Sequence, residues 1–260
     1  MSTSEPAAPV QVIAVHDISP SLRRVTLRAP DGRAPSPISP AAHCHLFFPE
    51  ARETAVDFET RLNTRSGPPG RVFTYRRIHT DGSFDVDFVR HAGEGPAARW
   101  LRRARPGTVI GHRGPGRGKL DPSAVGEGGL FILADMTALP AALSLLENAP
   151  RRRDVQAIIS VRHSHDDVAL PASVRSSVWL IAERPGALIG ALRTRTLPAK
   201  ITLFAACEAA EMRMLRRYAL DELGLDRSQV VTSGYWKRGL TAEQVDRAKR
   251  KPDWLGDLVG

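Results

Sequence analysis

The sequence predicts two domains of different class: a small β-barrel, then an α/β domain built on a parallel sheet. Three observations lead there. Between residues 10 and 121 the chain consists of short β-prone runs, at 12–15, 24–27, 45–48, 72–78 and 84–89, broken up by Pro and Gly. Many short strands joined by turns suit a barrel. After Gly126 the texture changes. Leu130-Phe131-Ile132-Leu133-Ala134 is a continuous apolar run, as a parallel strand buried on both faces requires. Further strands at 155–161, 178–182, 201–206 and 230–232 then alternate with helical stretches at 137–148 and 209–223, the pattern of an α/β sheet. The boundary falls in the stretch 121–128, which divides the chain into domains at 1–125 and 126–235 and a basic tail at 236–260.

The elements have local reasons. Thr80-Asp81-Gly82-Ser83 separates two β-prone runs, and Asp-Gly is a hairpin turn signal. Alternation in the second run puts Phe84, Val86 and Phe88 on one face. One helix interrupts the first half, at 97–104, between Gly95-Pro96 and Pro106-Gly107. In the second half Thr137 caps the helix at 137–148, and Gly224 ends the one at 209–223. The tail ends in a short helix at 242–250, and Arg151-Arg152-Arg153 reads as a solvated loop.

Composition narrows the class. The 260 residues carry a net charge of +9, which suits an anionic partner. Two cysteines, Cys44 and Cys207, support neither a disulfide framework nor a metal site and point to the cytoplasm. His43-Cys44-His45 reads as strand, because a third metal ligand is missing. Residues 1–9 hold no apolar signal core, and no apolar run is long enough to span a bilayer. Nucleic acid is not expected as a partner, because no binding module is recognisable and aromatics are only 6%. A monomer is the working expectation.

Three stretches could carry chemistry. In Arg71-Val72-Phe73-Thr74-Tyr75-Arg76, strand alternation sets Arg71, Phe73 and Tyr75 on one face and Val72, Thr74 and Arg76 on the other. Arginine offers a planar fork for phosphate oxygens, an aromatic offers a stacking plane, and a threonine hydroxyl can reach a ring nitrogen. The same six residues also make an ordinary charged strand. Residues 87–100 run from strand through a glycine-bearing turn into a helix start, where free N–H groups could hold a diphosphate. Residues 134–141 run from a buried strand into a helix, at the sheet end where α/β folds bind ligands. No G-x-G-x-x-G accompanies them.

Together these stretches resemble the siderophore-interacting protein family, flavin-dependent ferric-siderophore reductases distantly related to the ferredoxin–NADP reductases. The family pattern is similar to R-x-Y-T-x-R, D-F-V-x-H-G-x-x-G-P-A-S-x-W, G-D-E-T-A-L-P-A and G-Y-W-R-R-G. It matches residues 71–76, 87–100, 134–141 and 234–239 here, in that order. The resemblance implies a six-stranded antiparallel flavin-binding barrel followed by a nicotinamide-binding parallel-sheet domain. It implies FAD as cofactor, NAD(P)H or ferredoxin as electron source, and a ferric siderophore as substrate. By position, Arg71 and Arg76 would hold FAD phosphates, Phe73 would lie against the flavin, and Thr74 would contact the ring edge as the catalytic residue. His91, Gly95, Pro96, Ala97 and Ala98 would hold the diphosphate. Asp135, Thr137 and Ala138 would line the nicotinamide side. Trp236, Lys237 and Arg238 would sit at the open face of the flavin, the last two meeting the substrate.

The chain departs from the pattern in four places. Phe73 keeps the stacking plane but loses a hydroxyl, and Ala98 lacks the serine's hydrogen bond. Met136 replaces a carboxylate. Cys207 puts a side chain where backbone would approach a ligand. Two alternatives therefore stay open: a non-catalytic relative that binds an anion, and a flavin reductase for another acceptor. Arg99, Arg102, Arg103, Arg105, Arg113, Arg117 and Lys119 run without an acidic residue among them, which suits either an anionic substrate or plain solvation.

Overall fold

A computed structural model describes residues 6–36, 38–64, 67–123, 125, 128–150, 154–181, 184–198, 200–251 and 254. Part of the predicted boundary (Ala124, Gly126, Glu127) and the run Arg151-Arg152-Arg153 lie outside the described residues. The chain divides into two compact units, Met1–Lys119 and Leu120–Gly260.

In the first unit β1 (Ala8–Ser19), β2 (Leu22–Arg28), β3 (His43–Phe47), β4 (Arg71–Ile78), β5 (Phe84–Val89) and β6 (Val109–Gly116) close into a barrel in the order β1-β2-β5-β4-β3-β6. Each pairing is antiparallel. Val10, Val25, Leu46, Phe84, Val86 and Ile110 fill the interior. The predicted hairpin forms. His79 N–H donates to Ser83 O at 2.8 Å, and Gly82 turns the chain at φ 82°. A Cβ on Gly82 would stand 2.0 Å from the carbonyl oxygen of Gly32, so this turn requires glycine.

Two helices interrupt the barrel, where the sequence predicted one. The additional helix, α1 (Ala55–Leu62), buries only Phe58 and Leu62, too thin an apolar face to register as a period; Thr54 caps it. The predicted helix is α2 (Pro96–Arg103), with Trp100 fully buried. Strand β6 also went unread, because Gly111, Gly114, Pro115 and Gly116 look like breakers. Two of those glycines are close approaches: a Cβ would lie 2.4 Å from Leu62 at Gly111 and 2.3 Å from the His43 ring at Gly116. The predicted alternation of β4 fails past Phe73. The register shifts between Tyr75↔Val86 and Arg77↔Asp85, and this bulge buries Thr74, Tyr75 and Arg76 in succession.

The second unit is a parallel sheet of β7 (Gly129–Asp135), β8 (Val155–Val161), β9 (Val174–Ile181), β10 (Ile201–Glu208) and β11 (Val230–Trp236), in the order β11-β10-β7-β8-β9. Its helices are α3 (Leu139–Glu147), α4 (Ala187–Arg193), α5 (Ala209–Arg217) and α6 (Ala242–Ala248). Several predicted bounds change. Helix α3 begins at Leu139 with Ala138 as its capping residue and no side-chain cap, so Thr137 does not cap it; Thr137 and Ala138 instead donate their backbone N–H groups to the Asp135 carboxylate in the turn that leads into the helix. The stretch predicted as one helix at 209–223 passes from α5 into a π turn at Tyr218–Glu222. Helix α4 was not predicted; its first turn is held by a carboxylate more than 20 residues away in sequence. The tail predicted as separate packs within this unit, where Val245 and Trp254 cover Ala209. Among the described residues no helix is long and apolar enough to cross a membrane.

Candidate functional site

The predicted flavin seat lies on β4 and on the turn from β5 into α2. Phe73 is half-buried, with its ring 4.4 Å from Phe88 and 6.1 Å from Phe48. Both of those rings rest on Trp100 of α2, at 5.7 and 5.2 Å. One aromatic cluster therefore ties the aromatic plane on β4 to the helix whose start would meet a diphosphate. Arg71 is half-buried and donates to Gly70 O at 3.2 Å. Thr74 is buried and pairs with His43 across the ladder.

Arg76 is buried too, and its Nε faces Asp87 Oδ2 at 3.9 Å. Asp87 accepts a bidentate pair from Arg24, Nε at 2.7 Å and Nη2 at 2.9 Å. Beside it Asp85 accepts from Thr26 Oγ1 at 2.8 Å and meets His79 Nε2 at 3.0 Å. The polar face of β5 is thus a closed ionic network rather than a solvated edge. Sequence reasoning missed it. The pairing of β2 with β5 across about 60 residues brings Arg24 to Asp87, and no local pattern signals that.

Tyr75 points into the barrel, where its hydroxyl and His112 Nε2 share a hydrogen bond at 2.6 Å. Burial raises the Tyr75 phenol and lowers His112 to about 4, which favours the neutral imidazole. This dyad belongs to the barrel interior.

The start of α2 carries no side-chain cap. Gly95 is the capping residue, and a Cβ there would meet nothing within 4 Å, so the approach is open. Pro96, Ala97 and Ala98 form the first turn, which has no acidic residue. His91 is exposed and closes its own turn, its Nδ1 accepting from Gly93 N–H at 3.1 Å. The basic face of α2 is partly neutralised: Arg102 holds the Glu94 carboxylate at 2.9 Å, and Arg99 donates to the Glu94 carbonyl.

In the second unit the carboxyl ends of β7, β10 and β11 converge. Asp135 Oδ1 accepts from Thr137 N–H at 2.9 Å, Thr137 Oγ1–H at 2.5 Å and Ala138 N–H at 3.3 Å. Its Oδ2 accepts from Trp236 Nε1–H at 2.7 Å. Burial raises this carboxyl's pKa, and the bonds from Thr137 and Trp236 oppose the rise. Glu208 Oε2 caps α5 through Ala210 N–H at 2.6 Å, while Oε1 takes Arg238 N–H at 3.1 Å. Glu211 receives Leu188 N–H at 2.7 Å at the start of α4, and burial raises its pKa. The Arg238 guanidinium lies 5.7 Å from the Trp236 ring centroid. Lys237 follows Trp236 at the end of β11, where Leu240 N–H closes a turn onto its carbonyl at 3.1 Å.

This geometry brings Asp135, Thr137, Ala138, Trp236 and Arg238 together. Ala138 is fully buried, so only its backbone serves there. One expectation is overturned. Cys207 does not face a ligand; its side chain is enclosed in the apolar cluster of Leu133, Leu188, Met212 and Leu215, because strand alternation turns it toward α4 and α5. Burial is the main cause of its raised pKa.

Residues 11–119 match the siderophore-interacting FAD-binding domain family, and residues 129–239 match the siderophore-interacting protein family. A ferric acinetobactin reductase of Acinetobacter baumannii is 30% identical over 207 residues, covering 75% of this chain and 71% of that protein. The chain belongs to the siderophore-interacting protein family. The ferric vibriobactin reductase ViuB of Vibrio cholerae is 25% identical over 240 residues, covering 87% of this chain and 88% of that one. A solved siderophore utilization protein from T. fusca superposes with a TM-score of 0.77 at 32% identity, over 92% of this chain and 96% of that one. Among longer relatives, the chain spans 26% of the mycobactin import ATP-binding/permease protein IrtA of Mycolicibacterium smegmatis, at 23% identity over 232 residues covering 88% of this chain.

The residues of this siderophore-interacting family member fit FAD. An aromatic plane, an adjacent arginine and an uncapped helix start with open space at Gly95 are the donor set that a flavin dinucleotide needs.

Proposed function

We propose that the chain is an FAD-dependent reductase of ferric siderophores, drawing electrons from NAD(P)H or ferredoxin and releasing the iron as Fe(II). The observation that carries this reading is the uncapped start of α2, coupled through Trp100 and Phe88 to the Phe73 ring. The names of the relatives support the substrate class, and the fold supports a flavoprotein reductase. Bound flavin accepts electrons in pairs and passes them on singly, which ferric iron requires.

The chain's own residues bind and orient. Arg71 offers its fork to a phosphate oxygen, the α2 amides present the positive end of the helix dipole, and Phe73 provides the plane. Arg76, buried with its Nε facing Asp87 Oδ2 at 3.9 Å, adds a second positive charge for the FAD phosphates. Thr74 stands beside Phe73 as the hydroxyl nearest in sequence to the ring plane. Lys237 and Arg238 attract an anionic chelate. Oxygen chelators hold Fe(III) more strongly than Fe(II), so reduction loosens the metal. We place the FAD domain at 1–125 and the nicotinamide-side domain at 126–235, with the tail from 236 packed onto the latter through Val245 and Trp254. The free, buried thiols of Cys44 and Cys207 support a reducing compartment, the cytoplasm.

The test is an absorption spectrum of the purified protein, with the cofactor identified after denaturation. A flavin spectrum releasing FAD is the expected result. A protein that neither carries nor takes up FAD would refute the reading.

A further inference from the structure

Asp135 falls in a family motif at the sheet end where α/β proteins bind ligands, so a ligand role is the obvious assignment. Its hydrogen bonds point elsewhere. Oδ1 is occupied by three donors from Thr137 and Ala138 in the turn before α3, and Oδ2 by the Trp236 indole at 2.7 Å. Each carboxylate oxygen offers about two lone-pair sites, so Oδ1 is filled and the indole takes one of the two on Oδ2. Trp236 is the last residue of β11, and the Arg238 guanidinium lies over its ring. Arg238 is fixed a second time by its backbone bond to Glu208, at the end of β10. Three neighbouring strand ends are thereby joined through side chains, and the basic pair Lys237-Arg238 leaves the sheet from that junction.

We propose that Asp135 is a positioning residue: its carboxylate holds the Trp236 indole and, through it, sets the Lys237–Arg238 segment that receives the anionic ferric chelate. This rests on the proposed reading that such a chelate is the substrate. Substitutions separate the two duties of the carboxylate. In Asp135→Asn the amide oxygen still accepts from the Thr137–Ala138 turn, but the amide –NH2 faces the indole N–H, donor against donor. Trp236→Phe removes the indole donor, leaves the Thr137–Ala138 turn untouched and keeps a ring under Arg238.

The experiment compares wild type, D135N, W236F and the double variant, each loaded with FAD. The flavin is photoreduced without oxygen and then mixed with iron(III) tris-catecholate at several concentrations. The apparent Kd for the chelate is expected to rise roughly tenfold in D135N, the scale of one lost hydrogen bond to a charged group, with the limiting rate little changed. The double variant should match W236F, because Asp135 acts only through the indole. Equal Kd in D135N and wild type would overturn the proposal, as would a double variant much weaker than W236F. If D135N fails to fold, W236F decides alone: a raised Kd supports the proposal and an unchanged one overturns it. If wild-type flavin is not reoxidised at all, the substrate reading fails. Near-ultraviolet circular dichroism then judges the positioning contact. The band that W236F removes from wild type should be lost or altered in D135N, and its survival unchanged would overturn the contact.

Discussion

Replacing Asp87 by Asn should destabilise the barrel sharply. The side chain of Asp87 is fully enclosed, and it is the bidentate partner of Arg24 at 2.7 and 2.9 Å and the carboxylate that Arg76 faces at 3.9 Å. Asparagine keeps the volume, so no cavity forms and the cost is electrostatic. One carboxylate oxygen becomes a donor facing a guanidinium, and two arginines that are largely withdrawn from solvent lose the carboxylate they share, while Arg24 keeps Asp85 at 3.9 Å. Removing one partner of a buried ion pair costs about 3–5 kcal/mol. For a unit of the size of Met1–Lys119 that is a fall in melting temperature of roughly 10–20 °C. Differential scanning calorimetry of the apoprotein would resolve it as a downward shift of the transition in which the barrel unfolds. A shift under about 4 °C would refute the reasoning, since it would mean that the network is solvated or that Arg24 finds another acceptor.

Other outcomes follow from the same structure. His112 has its pKa lowered by burial from 6.5 to about 4, so below pH 6.5 the unfolded chain binds a proton that the folded one refuses. This group's contribution to stability should therefore fall as pH drops from 6.5 towards 4, by about 3 kcal/mol in total, and that part of the slope should be absent in His112→Gln when urea midpoints are followed against pH. Neither Cys44 nor Cys207 should react with a thiol reagent in the native protein, because both are enclosed and burial raises both thiols; two thiols should titrate after denaturation. Ala98→Ser should restore a hydroxyl at the start of α2 and tighten FAD by about fivefold, measured by quenching of flavin fluorescence. Unchanged affinity would remove the diphosphate from that site.

Much of the architecture was legible because its signals are local. The run from Leu130 to Ala134 declares a buried strand by itself, and Asp81-Gly82 marks a turn whose geometry admits only glycine. What stayed hidden depends on partners far away in sequence. The glycines of β6 look like breakers until Leu62 and the His43 ring are seen against them. Helix α4 is short and takes its cap from Glu211, so its own residues do not announce it. At the site, the motif residues were legible but their partners were not. Period-two alternation could not foresee the bulge that buries Arg76 toward Asp87. Nor could a strand-end motif reveal that Asp135 would be bound by an indole 101 positions on, a contact created by the sheet order β11-β10-β7.

The most direct test of the central claim is a single anaerobic mixing experiment. Protein carrying photoreduced FAD is combined with iron(III) tris-catecholate in the presence of a chromogenic chelator specific for Fe(II). The account predicts that the flavin reoxidises as Fe(II) appears, at about two irons per flavin, as electron balance demands. Flavin that stays reduced while the ferric complex keeps its colour would contradict it.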